Sequence, residues 1–510
     1  MNCSMNCSMN RLALPLLLCC FVASLNGLSP MRAEDQRPHF VFIAVDDLND
    51  WIGCMGGHPQ AKTPNIDRLA QRGILFTNAH CAAPVCLASR TAVLSGRYPQ
   101  ATGVLSNWGA ERGKAPPKAQ QLPVRLAANG YATLGAGKIF HGSGTPFFQD
   151  YFDTEQRWSP FTPEQVKYTA QEQTSKGTDH PRHRIQAGPG QRDWVLPLNG
   201  LPSERNADTN DGESFDWGPT QVSDEEFGDT RITSWAMSKL AEPRKEPLFL
   251  GVGYYRPHIP LFAPQQDFQD YPSVQDIRLP NVDEQDLNDL GPVGQKVALD
   301  AITAGTHSLV VKHQQWQSAA LAYLACITYV DRQVGRLMQS LDESTYAENT
   351  WVILWSDHGW HLGEKQHWGK WTPWRQSTRV PLIIVPPRNQ QAIRGATCSE
   401  AVSLVDVYPT LLEIAGIAPA SHAQGASIVP LLKAPKQQTE RAVLTTVGAG
   451  NYALSTRDWR YIRYSTGEEE LYDIATDPHE WTNLVQKAQF KDKRIELQQK
   501  LDATIQSISK

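Results

Sequence analysis

The run HFVFIAVDDLND, His39 to Asp50, is an unbroken apolar stretch that ends abruptly in two carboxylates, Asp46 and Asp47. A strand with one face in water alternates apolar and polar residues. This one does not, so both of its faces are buried, as in a parallel sheet covered by helices on each side. Its acidic end then falls at the carboxyl edge of the sheet, where open α/β folds bind their ligands.

Outward from that strand the theme repeats. TPNIDRLAQRG reads as a helix with a Thr/Pro start and a Gly stop. QLPVRLAANG and YATLGAGKIF follow as helix and strand, then DEEFGDTRITSWAMSKLAE and PLFLGVGYY. AALAYLACITYVDRQVGRLMQSLDE is the longest amphipathic helix, with TWVILWS the strand after it, VPLIIVPP a further strand and EAVSLVDVYPTLLEIAG a further helix. The alternation predicts a large, mostly parallel sheet sandwiched by helices over residues 36–440. Between Gly142 and Pro219 the chain is Gly/Pro-rich and polar with little periodicity, as expected for loops around a pocket. After about Arg441, YALSTRDWRYIRYST, EEELYDI and DKRIELQQKLDATIQSI predict a smaller subdomain over 441–510, an antiparallel sheet closed by one helix.

The 510 residues carry 48 basic and 53 acidic side chains, a net charge of −5 too balanced to imply a nucleic-acid partner. Residues 1–33 read as a secretory signal peptide: Arg11, an apolar run from Leu12 to about Leu25, then small residues. The run is short for a membrane span, and no other stretch is long and apolar enough for a stable one. The Cys19–Cys20 pair raises a lipoprotein alternative, but PLLLCC lacks the small residues expected before such a cysteine. The expected location is therefore periplasmic or extracellular, or lysosomal in a eukaryote. Export leaves Cys54, Cys81, Cys86, Cys326 and Cys398, an odd number in an oxidising compartment. Either one thiol stays outside any pairing, or all five are free.

Chemistry collects at the predicted strand ends. HFVFIAV runs into Asp46–Asp47, TWVILWS into Asp357–His358, PLFLGVGYY into Arg256-Pro257-His258, and YATLGAGKIF carries Lys138 with His141 just beyond. Three carboxylates favour a hard cation such as calcium or magnesium, whereas the His358 imidazole suits manganese or zinc better. Around that cation Arg90, Lys138, His141, His258 and Lys370 would form a positive pocket suited to a tetrahedral oxyanion. Trp360 and His361, beside the Asp357–His358 pair, are candidates for sugar contact.

CLASRTAVLSGR, Cys86 to Arg97, resembles the type I sulfatase motif, Cys-x-Pro/Ala-x-Arg followed by a hydroxyl residue, Gly and Arg. AVDDLND, GKIFH, GYYRPHIPL, SDHGWHLGEKQHWGKWTPW and ELYDIATDPHEWTNL resemble sulfatase segments in the same order, and KIFH, RPHIPL and SDHGWHLGE are similar to the iduronate-2-sulfatase-like subgroup. The resemblance implies an alkaline-phosphatase/sulfatase-like fold and a sulfuric ester hydrolase acting on a sulfated carbohydrate, of the 2-O-sulfated uronic acid or iduronate type found in glycosaminoglycans. It implies that a formylglycine-generating maturation enzyme converts Cys86 to formylglycine, whose hydrate is the nucleophile. It further implies that Asp46, Asp47, Asp357 and His358 bind a divalent cation, usually Ca2+, which also touches the modified Cys86. Arg90 would steady the formylglycine, Lys138 and Lys370 hold sulfate oxygens, His258 protonate the leaving alcohol, and His141 help expel sulfate. One residue departs from the commonest motif: Ala88 stands where proline is usual.

Two other readings remain at this stage. One is a phosphomonoester or phosphonate-ester hydrolase of the same superfamily; the other is a non-catalytic binder of sulfated glycan with an unconverted Cys86.

Overall fold

The computed structural model describes residues 37–108, 112–153, 183–188, 191–195, 199, 201, 215–301 and 305–508. The predicted signal peptide, and most of the loop-rich stretch that starts at Gly142, lie outside the described residues. The main strands are β1 (His39–Val45), β2 (Ile74–Phe76), β3 (Ala132–Gly137), β4 (Asp150–Phe152), β5 (Leu248–Tyr254), β6 (Thr350–Ser356), β7 (Leu382–Val385) and β8 (Ala396–Cys398). They form one eight-stranded sheet in the order β8-β2-β7-β6-β1-β5-β3-β4. As the sequence predicts, β1 is buried, along all but its first residue, and it lies in the interior of the sheet.

Successive β1 side chains face opposite layers, the period of two that a strand imposes. Val41, Ile43 and Val45 join the core under α1 (Pro64–Arg72), while Phe40, Phe42 and Ala44 join the core on the other face, with α2 (Cys86–Ser95) and α3 (Leu122–Ala128). The first layer also contains α4 (Gly228–Leu240) and the long α5 (Trp316–Asp342); the second contains α6 (Val407–Ile414). Each large aliphatic side chain so buried contributes about 1.5–3 kcal/mol.

Strand β7 departs from the parallel expectation, pairing antiparallel with both β6 and β2. The cause is the connection. The chain leaves β6 at Ser356, and the helix within the segment before β7, Arg375–Thr378, is a single turn. Without a crossover spanning the sheet, the chain re-enters from the edge it left, which makes the next strand antiparallel. The helix predicted from EAVSLVDVYPTLLEIAG starts later than that stretch suggests. Val402 and Ser403 form a short strand, and the Ser403 N–H donates to Asp406 Oδ2 at 2.9 Å in a capping box.

A second sheet contains β9 (Val443–Thr446), β10 (Tyr452–Ser455), β11 (Trp459–Arg463) and β12 (Glu469–Asp473), all antiparallel, with α7 (Lys491–Ile508) behind it. Buried polar groups join this sheet to the loop between β6 and β7. Glu480 accepts the Arg375 N–H at 2.7 Å and pairs with Arg460 at 3.0 Å. Arg460 in turn donates to the Pro373 carbonyl and, at 2.8 Å, to Thr378 Oγ1. Lys365 donates to Asp286 and to the Glu480 carbonyl, and Trp374 Nε1 donates to Glu470 at 2.9 Å.

Arg460 has no exposed surface, so Glu480→Ala would leave a guanidinium buried beside no partner carboxylate. The expected loss is about 3–5 kcal/mol. Urea denaturation of the full chain measures it, and a loss within the range of an exposed ion pair would refute the clamp.

Candidate active site

Register brings four strand ends level. Val45 of β1 lies beside Ser356 of β6 and Tyr254 of β5, and Gly137 of β3 lies beside Gly253 of β5. The residues that follow therefore emerge side by side: Asp46–Asp47, Asp357–His358, Arg256–His258 and Lys138. Gly137 has φ +71° and a Cβ there would lie 2.1 Å from the Gly253 carbonyl oxygen, so only glycine permits this close approach.

Asp47 also has a left-handed backbone, φ +62°, which costs of order 1 kcal/mol in a residue with a Cβ. Its neighbours hold it there. The Asp47 N–H donates to Asp357 Oδ1 at 3.1 Å, and Tyr323 Oη on α5 donates to the Asp47 carbonyl at 2.7 Å. Tyr323 Oη also accepts the Asn49 N–H at 2.9 Å, and Ser356 Oγ accepts the Leu48 N–H at 3.0 Å. On the β5 side, Asp229 of α4 accepts the N–H groups of Tyr255 and Arg256 at 2.9 and 3.0 Å. That fixes the turn that leads to His258.

Cys86 begins α2, a helix buried at every position except Leu87. Its Sγ lies 3.0 Å from Lys370 Nζ, 3.3 Å from His358 Nε2 and 3.9 Å from Lys138 Nζ. Burial opposes a thiolate here, but Lys138, Lys370 and His358 outweigh it and hold the thiol well below its usual range. Its place at the start of α2 adds the positive end of the helix dipole, which also favours the thiolate. The other described cysteines, Cys54, Cys81, Cys326 and Cys398, are likewise free, and burial pushes each of their thiols up. All five are therefore free, while Cys86 alone has a setting that favours the thiolate.

The carboxylates are sorted by their partners. Arg90 lies 2.8 Å from Asp357 Oδ2 and 3.2 Å from Asp46 Oδ1, and also donates to the Lys138 and Ile139 carbonyls. Lys138 pairs with Asp46, and Lys370 with Asp47 Oδ1 at 2.7 Å. Burial pushes Asp46 up, yet Lys138, His258 and Arg90 hold it well below the carboxylate range. Burial raises Asp47 to about 7 against the pull of Lys370, and raises Asp357 to about 6 against Arg90. Burial opposes the charge on His358, but Asp357 raises it above its usual value.

These groups fit a cation. Asp46, Cys86, Asp357 and His358 offer ligand atoms all within 4.8 Å of one another, as do Asp46, Asp47, Cys86 and His258. Asp47 Oδ2 is a buried carboxylate oxygen without a hydrogen-bond partner, beside the other candidate ligands. A divalent ion would satisfy it.

His258 and His141 are half-buried at the open side of this cluster. His258 Nδ1 lies 2.6 Å from the Ile259 carbonyl, so that nitrogen carries the proton and Nε2 is left for the cluster. Burial, with Lys138 beside it, pushes His258 down to about 3. His141 is among the groups that favour the Cys86 thiolate. Trp360 is placed elsewhere than a sugar contact requires: 1% exposed, it lies in the core with its ring 5.6 Å from Lys370 Nζ. His361 is equally enclosed, bonded to Thr372 Oγ1 at 2.7 Å. An indole next to two candidate metal ligands carries no sequence mark that separates floor from rim. Tyr323 and Asp229 escape sequence reading because they act on the site from distant segments, and Ser356, though it precedes Asp357, gives no sign in the sequence of its bond to Leu48.

Comparison with known proteins accords with this geometry. The family model Sulfatase matches residues 38–417, and the model N-sulphoglucosamine sulphohydrolase, C-terminal matches residues 363–507. A Formosa agariphila protein named Sulfatase is 32% identical over 489 residues, covering 95% of this chain and 90% of the relative. Iduronate 2-sulfatase of Mus musculus is 28% identical, over 80% of this chain and 74% of its own. A solved 2-O GAG sulfatase superposes with TM-score 0.67 at 20% identity, covering 92% of each chain. The phosphonate monoester hydrolase of Agrobacterium radiobacter superposes with TM-score 0.69 at 20% identity, over 92% of this chain and 96% of its own. At such identities these two solved structures speak to the fold alone. Matched by the family model over most of its length, the chain belongs to the sulfatase family and is a sulfuric ester hydrolase.

Proposed function

We propose that the protein is an exported sulfatase that removes sulfate from carbohydrate, using a formylglycine made from Cys86 and a divalent cation, Ca2+. The observation that carries the reading is the setting of Cys86: a buried side chain at a helix start, within 3.9 Å of two lysines and a histidine and flanked by three buried carboxylates. A thiolate is a poor partner for calcium, whereas an oxygen at position 86 completes an oxygen-rich set. The 2-O-sulfated uronic acid class is favoured by the likeness to iduronate 2-sulfatase. The N-terminal apolar run supports export.

Asp46, Asp47, Asp357 and His358, with residue 86, would hold the cation, which supplies Lewis-acid polarisation and lowers the pKa of a bound hydroxyl. Converted to a formylglycine hydrate, residue 86 would offer one hydroxyl oxygen as nucleophile and a second hydroxyl as an exit for sulfate. Arg90 orients the region by bridging Asp46 and Asp357. Lys138 and Lys370 neutralise the sulfate oxygens as charge shifts toward the leaving oxygen. An anionic ester beside His258 raises that imidazole from its depressed value, which equips it to protonate the departing alcohol. His141, which acts on residue 86, would take the proton whose loss expels sulfate.

A phosphonate or phosphomonoester hydrolase is the second reading, compatible with the fold shared with the Agrobacterium enzyme. Side-by-side assay on an aryl sulfate and an aryl phosphate decides between them. The sulfate should be turned over with the higher kcat/KM, and a dominant phosphatase rate overturns the proposal. Mass spectrometry of the peptide containing residue 86 should find an aldehyde in place of the thiol; a wholly intact thiol in active protein refutes the nucleophile. Lys370→Ala should lower kcat by roughly 10²–10³, the usual consequence of removing one oxyanion donor. Dialysis against a chelator should abolish turnover, with calcium restoring it; full activity in the chelator argues against the cation.

A further inference from the structure

Trp108 is the one aromatic among the exposed large hydrophobic residues described, with 58% of its surface in water. Its ring is not isolated. It lies 5.2 Å from the ring of Trp371, with the two planes inclined at 39°. Both tryptophans are tied to the surroundings of Cys86. Trp371 follows Lys370, whose Nζ is 3.0 Å from Cys86 Sγ. Trp108 follows Asn107, whose Oδ1 accepts the Leu87 N–H at 2.9 Å, one residue beyond Cys86.

The backbone is strained to achieve this. Trp371 has φ +75°, a left-handed conformation that a bulky side chain avoids at a cost of about 1–2 kcal/mol. Its N–H donates to the Pro84 carbonyl at 3.2 Å, and its ring packs on the small cluster of Ala83, Val85, Ala88 and Val104. The reversal separates two neighbouring side chains: Lys370 is 6% exposed and reaches Cys86, while Trp371 stays half-buried and meets exposed Trp108. Packing alone needs no indole in water, and an indole face is suited to the apolar C–H face of a sugar ring.

We propose that Trp108 and Trp371 form a carbohydrate subsite, an aromatic rim against which a pyranose ring of the sulfated chain stacks while its sulfate is held by Lys138 and Lys370. This rests on the carbohydrate-sulfatase reading above. The rim selects for the sugar, and the lysines for its sulfate.

The test measures steady-state kinetics of the full chain on 2-O-, 3-O- and 6-O-sulfated oligosaccharides, together with the inhibition constant of inorganic sulfate. Trp108→Ala, an exposed position, should raise KM for the best oligosaccharide about tenfold, equivalent to about 1.4 kcal/mol. The sulfate inhibition constant should stay unchanged, and Trp108→Phe should restore most of the loss. If the parent enzyme turns over an oligosaccharide and Trp108→Ala leaves its KM within twofold, the subsite is wrong and the carbohydrate reading survives. If KM and the sulfate constant rise together, the residue supports the fold and not the sugar, which also overturns the subsite. If the parent hydrolyses an aryl sulfate but none of the oligosaccharides, the carbohydrate reading falls and the subsite with it.

Discussion

Three carboxylates without exposed surface, Asp46, Asp47 and Asp357, meet at one edge of a sheet. Like charges so close, cut off from water, are the most expensive arrangement a core can contain unless opposite charge is built in beside them. Arg90, Lys138 and Lys370 supply that charge, each from a different segment. Nearly everything else about the fold follows from the need to deliver these six groups together. The four parallel strands set the acids and Lys138 level, α2 brings Arg90 up beneath Cys86, and the loop after β6 returns with Lys370. A field of this kind, organised before substrate arrives, needs little rearrangement when negative charge moves during hydrolysis.

The framework of that arrangement was legible in the sequence because it rests on local signals. An unbroken apolar run that stops at Asp46–Asp47, and another that stops at Asp357–His358, mark doubly covered strands and their ligand-bearing ends at once. Four such strands turned out to be adjacent and parallel, β6-β1-β5-β3. CLASRTAVLSGR has no coherent amphipathic pattern, and the structure gives the reason. The helix is enclosed on nearly all sides, so no stripe exists to be read.

What the sequence concealed depends on pairings between distant segments. The direction of β7 depends on what the connection before it does, which the apolar run LIIV does not encode. The clamp of Glu480 on Arg375 and Arg460 joins residues with no shared period, and each alone reads as a surface charge. Trp360 and Trp371 sit in nearly the same stretch, yet one is core floor and the other rim. The left-handed turn at Trp371 decides that difference, and nothing in the residue type announces it.

The antiparallel return of β7 has a further consequence. Because β6 and β7 are hydrogen-bonded neighbours, the excursion from Asp357 to Pro381 begins and ends at adjacent points of a rigid base. Closing such a loop costs entropy that grows only with the logarithm of its length, so residues added at the outer part are cheap. Additions there leave Asp357 and His358, at the base, where they were. The topology thus separates two evolutionary variables: reach toward a substrate can change while Asp357 and His358 stay in register, provided the additions lie away from Lys370, which the same excursion places on Asp47.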